Sequence, residues 1–180
     1  MRVPILLMLT AAMLPAQSLE DARMARGDDP RWADPAFDDR GWETVAQRRV
    51  RPMEYAKENR FWLRMRVTVL AGEPAAVLMY RCPCEVYLDG IRLGATGDLN
   101  APRPKTTNDL TVLPVPAALA GRSVVLAARL YHPPGRESWV GPINEARILL
   151  LPVREVGPVS AELQKRIEAE IGIRLIFGLL

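Results

Sequence analysis

Asp28, Asp29, Asp34, Asp38 and Asp39 crowd into one short stretch of a 180-residue chain. Carboxylates at this density suit calcium, which takes six to eight oxygens. Their spacing, however, lacks the alternating oxygens and distal Glu of an EF-hand loop. Aspartates also initiate turns and cap helices. That simpler use is the reading adopted, with a structural calcium as the alternative and no other cofactor implied. Cys82 and Cys84 are the only cysteines. Same-face Cα atoms of an extended strand lie ~6.5–7 Å apart, at the limit for a disulfide. Both read as buried core thiols, with a strained redox pair as the second option. Without histidines nearby they make a weak metal site. His132 is the only histidine. No Gly-x-Ser-x-Gly element offers it a nucleophile, so no catalytic residues are expected. Trp139 stands in a polar loop, and an aromatic ring beside polar groups is a usual sugar platform. Asp98, Asn100 and Arg103 of another long loop would complete a ligand pocket with it at one end of the fold. Trp139 as a plug over the core is the competing reading.

Strands must position these groups. From Tyr80 to Leu88 apolar residues alternate as Tyr80, Cys82, Cys84, Val86 and Leu88, the period of a strand with one buried face. Asp89-Gly90 follows, and Asp-Gly between apolar alternations marks a two-residue type I′ hairpin. Such a turn pairs Leu88 with Ile91 and Val86 with Leu93. A second strand is expected over Arg60–Leu70, with Phe61, Leu63, Met65, Val67 and Val69 on one face. A third is expected over Ser123–His132, with Val124, Leu126, Ala128 and Leu130 on one face and Arg129, a structural arginine, on the other. Leu110–Val115 and Ala146–Val153 read as further strands, and Pro116–Ala120 as a helical turn before Gly121. Ser18–Arg26 reads as a short helix or irregular lead-in. Trp32, Phe37 and Trp42 lie in a loop rich in Asp, Pro and Gly and are expected to plug one end of the core. Many short strands with long loops imply an all-β antiparallel sandwich.

Composition sets the outer limits. The hydrophobic fraction of 49% supports a packed core. A net charge of +3, with no Lys/Arg block, carries no nucleic-acid footprint. Residues 1–16 read as a secretory signal peptide: Met1-Arg2, an apolar run from Val3 to Met13, then Leu14-Pro15-Ala16 before the cut. Residues 17–157 form the sandwich domain on this reading. Residues 158–180 form a helix N-capped by Ser160, which runs into the apolar Ile171–Leu180. Ten such residues fall short of the ~20 that span a bilayer. The favoured reading is a juxtamembrane helix entering a truncated membrane span. A helix packed on the domain is the alternative, and Arg174 favours the latter.

Four stretches together resemble a known family. Trp-Ala-Asp-Pro-Ala-Phe-Asp-Asp-Arg-Gly-Trp at 32–42 is similar to the W-x-x-x-x-F-D-D-S-x-W opening of the sugar-binding domain of glycoside hydrolase family 2. Residues 61–69, 84–94 and 125–131 resemble that domain's later strands, in the same order, with Asp89 where the family usually has Asn. The resemblance implies a galactose-binding-like jelly roll. The catalytic carboxylates of such hydrolases lie in a separate barrel, which this chain has no room for. Similar sandwiches serve as extracytoplasmic sensor modules of bacterial membrane signalling proteins, between a signal peptide and a membrane span.

The chain is therefore expected to be a non-catalytic, periplasmic or extracellular sensory domain. It would bind a small molecule or glycan and be anchored to the membrane through its C-terminal segment. The alternatives are the sugar-binding portion of a secreted family 2 hydrolase and a structural adhesion-type sandwich.

Overall fold

The computed structural model of the chain describes residues 22–44, 60–80, 83–102, 104–105, 110–131 and 147–177. The expected signal peptide, Cys82, Arg103, His132 and Trp139 lie outside them. Among the described residues nine strands run in chain order. They are β1 (Arg23–Arg26), β2 (Glu43–Thr44), β3 (Arg60–Thr68), β4 (Ala75–Tyr80), β5 (Cys84–Leu88), β6 (Ile91–Thr96), β7 (Leu110–Pro114), β8 (Ser123–Tyr131) and β9 (Arg147–Pro152). One helix, α1 (Val153–Phe177), follows. The strands form a six-stranded sheet, β2-β1-β3-β8-β5-β6, and a three-stranded sheet, β7-β4-β9, with every neighbouring pair antiparallel.

The two sheets face each other across one core. The larger sheet contributes Phe61, Leu63, Val67, Val86, Leu88, Val124, Leu126, Ala128 and Leu130, and the smaller contributes Val77, Met79 and Ile148. The fold is thus the expected antiparallel β-sandwich. The inward faces of β3 and β8 are those the alternation assigns, because period two leaves no other way to bury these side chains.

The chain between Val77 and Gly94 departs from its expected course. It is not one long strand: β4 belongs to the smaller sheet and β5 to the larger. Pro83 stands at the start of β5, where a missing amide costs the ladder nothing. The Asp89-Gly90 turn is present, with φ of 52° at Asp89 and 80° at Gly90, as type I′ demands. Leu88 pairs with Ile91 as expected, but Val86 pairs with Gly94 rather than Leu93. A bulge between Val86 and Tyr87 absorbs the extra residue. The bulge brings Gly94 beneath β7. A Cβ on Gly94 would lie 2.6 Å from Leu113 Cδ2, so the close approach of the two sheets here depends on glycine.

Both outer faces are covered. Residues 27–42 fold over the larger sheet, where Trp62, Ala33 and Ala127 are buried together with Trp32, Trp42 and Tyr87 packed against them. The aromatics therefore cover a sheet face instead of plugging the end of the core. Ala22–Arg26, read as helix or irregular, instead contributes β1, drawn into pairing with β3. The helix α1 covers the smaller sheet. It begins at Val153, directly after β9, so Ser160 is a helix-interior residue and not its N-cap. Val153 N–H donates to the Pro74 carbonyl at 2.9 Å, and Arg154 pairs with Glu73. Leu163 and Ile167, one turn apart, bury against Leu78, with Val159, Leu110, Leu149 and Leu151 around them. No helix among the described residues is long and apolar enough to cross a membrane.

Candidate functional site

Charged residues of the four motifs, together with Asp28 and Arg60 just outside them, tie the layers together in two clusters. In the first, Arg64 of β3 points outward yet is only 1% exposed. Its Nε donates to Asp39 Oδ2 at 2.9 Å, its Nη1 to the carbonyls of Trp32 (2.5 Å) and Asp34 (2.9 Å), and its Nη2 to the carbonyl of Phe37 (3.3 Å). The guanidinium also lies 5.6 Å from the centre of the Phe37 ring. A planar fork of five donors is what such a set of converging acceptors requires. Every fork nitrogen is spent on the covering loop, which makes this cluster a fastener.

The second cluster gathers where β3 begins and β8 ends. Arg129 of β8 and Glu85 of β5 are paired across the ladder on the outer face of the sheet. Arg129 grips Asp28 in a bidentate pair, Nε to Oδ1 at 2.5 Å and Nη2 to Oδ2 at 2.6 Å. Its Nη1 reaches Glu85 Oε2 at 3.5 Å and Asn100 Oδ1 at 3.3 Å. Glu85 also accepts from Arg92 Nε at 2.5 Å. Arg60 lies alongside, its Nε 3.5 Å from Asp28 Oδ2 and its Nη2 donating to the Leu99 and Ala101 carbonyls at 2.9 and 3.2 Å. The Tyr131 ring backs the Arg60 guanidinium at 5.8 Å. Arg129 and Glu85 side chains are 16% and 13% exposed, and Arg60 and Asp28 28% and 35%, so the cluster opens to solvent on the side of Arg60 and Asp28.

The electrostatics follow from these contacts. Burial alone would raise the Glu85 carboxyl. Hydrogen bonds from Arg92 and Tyr87 and the Arg92 charge outweigh it and hold the group below its ordinary value. Burial and the bond to Glu85 push the Tyr87 hydroxyl up. The bidentate bond to Asp28, against the opposing effect of burial, raises Arg129 further above its already high value.

Of the four residues expected to bind ligand, the structure places Asn100 in this cluster. Asp98 is exposed and its Oδ1 accepts from Asn100 N–H at 2.9 Å, so its visible task is to turn the loop that presents Asn100. Trp139 and Arg103 lie outside the described residues. Alternation put Arg129 on the outer face, but its partner Asp28 is 101 positions away and no local pattern announces the pair. The five clustered aspartates serve turns and arginines. Asp29 caps the turn of Pro30–Ala33 and pairs with Arg31. Asp34 accepts from Ala36 N–H. Asp38 pairs with Arg40, whose hydrogen bonds lower its carboxyl to about 2. Asp39 holds Arg64 and Asp28 holds Arg129. Cys84 is buried between the sheets, with its Sγ 3.6 Å from Met79 Sδ.

No family model matches the chain, and no curated protein matches it. Among solved structures, a β-glucuronidase of Bacteroides uniformis is 15% identical over 62% of this chain and 14% of its own length, with a TM-score of 0.44. A glycosyl hydrolase family 2 member of Bacteroides cellulosilyticus is 11% identical over 65% of this chain and 17% of its own, with a TM-score of 0.47. An exo-chitosanase of Amycolatopsis orientalis is 14% identical over 63% and 16%, with a TM-score of 0.43. The chain is similar to a part of each of these enzymes and spans about a sixth of their length.

Proposed function

We propose that the chain is a non-catalytic, extracytoplasmic carbohydrate-binding domain with a sensory role, and that its ligand meets the cluster around Arg60, Arg129 and Asn100. One observation carries the reading: Asn100, expected from sequence to bind ligand, lies on a partly open polar cluster of interleaved donors and acceptors. Hydroxyl groups both donate and accept, and an interleaved surface suits them. The motif resemblance points the same way. Sensing is supported by α1, which leaves β9 without a break and packs along the smaller sheet, giving ligand-dependent changes in the sandwich a direct outlet. On this proposal the chain is exported and anchored through a membrane segment beyond the sandwich.

A thermal-shift panel of mono- and oligosaccharides on the full chain tests the binding step. At least one sugar should raise the melting temperature, and Asn100→Ala should abolish the shift. No shift with any sugar removes the carbohydrate reading. A second reading, the sugar-binding portion of a longer family 2 hydrolase, gains weight from the solved enzymes, of which the chain matches a small share. The coding sequence downstream of Leu180 separates the two, since the first requires a membrane span there and the second a barrel with paired carboxylates.

A further inference from the structure

Resting on that reading, we infer that the cluster selects sugars bearing a carboxylate, such as uronic acids, over neutral ones, with Arg60 as the group that receives the acid. The charge balance is the first argument. Among the described residues three guanidinium groups, Arg60, Arg92 and Arg129, share two carboxylates, Asp28 and Glu85, so one positive charge is left over. The exposed Asp98 carboxylate accepts from the Asn100 backbone N–H, and among the described residues no ion pair joins it to any of the three. The second argument is which arginine holds the surplus. Arg129 has its Nε and both terminal nitrogens engaged. Arg92 is committed to Glu85 from a well-exposed position. Arg60 spends Nη2 on two loop carbonyls, and among the described residues nothing bonds its Nη1. Its Nε is buried and lies 3.5 Å from Asp28 with no hydrogen bond made. An arginine held by two carbonyls and backed by the Tyr131 ring is fixed in place before any ligand arrives. Its free Nη1 therefore meets a carboxylate without the entropy cost that a mobile surface arginine bears.

The third argument concerns the sugar ring. Asn100 gives its Oδ1 to Arg129, which leaves its amide nitrogen as a donor on an exposed residue. The Leu99 and Ala101 carbonyls each keep a second lone pair. A carboxylate on Arg60 would place neighbouring hydroxyls within reach of both kinds of group. Simple anions would use the first contact and none of the others.

Isothermal titration of the full chain with sodium D-glucuronate, sodium D-galacturonate, D-glucose, D-galactose and sodium acetate tests this. The uronates should bind at least tenfold more tightly than their neutral counterparts, and acetate more weakly than either uronate. Arg60→Gln should erase the uronate advantage, so that uronates and neutral sugars bind that variant with the same affinity. Arg66→Gln, at an exposed position farther along the same strand, should change nothing. Should Arg60→Gln prove unfolded by circular dichroism, rising salt on the unmodified chain gives the same reading, by weakening uronate binding and not neutral-sugar binding. Neutral sugars binding as tightly as uronates would overturn the acid preference and leave the carbohydrate reading standing. Acetate matching the uronates would reduce the site to a plain anion site. No binding by any sugar would remove both readings.

Discussion

At the scale of single residues, the two arginine clusters look alike in sequence and differ in what they leave free. Arg64 commits all three of its nitrogens to the residue 32–39 loop, and burial makes each of those bonds hard to replace by water. Arg64→Met removes the donors, leaves Asp39 its 3.7 Å pair with Arg23, and strands three carbonyls under the covering loop. A loss of about 3 kcal/mol is expected, read as a lowered urea midpoint. The Trp32 and Trp42 fluorescence should shift to longer wavelength as the loop lifts. Arg64→Lys should rescue little, because a point charge cannot span acceptors fixed in a fork. Glu85 gives a second test. Its folded-state carboxyl lies below its ordinary value, so the pairing stabilises the fold above the unfolded carboxylate range. That contribution is lost as pH falls through the folded-state value. Glu85→Gln should therefore flatten the stability-against-pH curve as pH falls through and below the ordinary glutamate value of about 4.3, measured by denaturation midpoints at successive pH values. An unchanged slope would show that the Arg92 and Arg129 contacts do not favour the charged form.

At the scale of elements, what the sequence made legible was whatever repeats locally. Period two exposed the inward faces of β3 and β8, and Asp89-Gly90 exposed the hairpin, since each is written within a few neighbouring residues. Assignment of strands to sheets was not legible. Val77–Tyr80 is apolar at every position and so continues the alternation of Cys84–Leu88 in either phase, and one strand and two strands in different sheets look the same. The bulge at Val86 was hidden too, because Leu93 satisfies the pattern and only the contact of Gly94 with Leu113 rules for the shifted register. β1 escaped notice because it is four residues long and Met24 is its one buried side chain, too short a run to show a period. The same rule explains the site. Asn100 stood out as a polar loop residue, whereas Asp28 was hidden among aspartates that serve turns. Gly90 tests the hairpin directly. Its φ of 80° suits glycine, and an added Cβ would also lie 3.1 Å from Pro35 Cδ. Gly90→Ala should cost about 1–2 kcal/mol, seen as a lower melting temperature with an unchanged circular-dichroism spectrum.

At the scale of the whole molecule, the layers set how binding at one place reaches another. The covering loop, the larger sheet, the core, the smaller sheet and α1 are stacked in that order, and the cluster and the helix belong to opposite outer layers. A ligand that binds only the folded sandwich stabilises it by about 2.7 kcal/mol at a hundredfold excess over its dissociation constant. The helix shares in that gain only if it opens together with the sandwich. Leu163 and Ile167 against Leu78 are the contacts that would enforce this. Amide exchange of α1 around residues 163–167 should then slow on addition of a binding sugar by the same factor as exchange in β8. Leu163→Ala leaves a cavity worth about 2–4 kcal/mol, comparable to the whole attachment of a helix held by two buried side chains. In that variant the helix should exchange through its own local opening, indifferent to sugar, while β8 still responds. If α1 in the unmodified chain ignores a sugar that slows β8, the helix is not coupled to the site. The sensory role would then fall and ligand binding would stand. The order of the two openings is thus the quantity that decides whether a domain that binds is also a domain that signals.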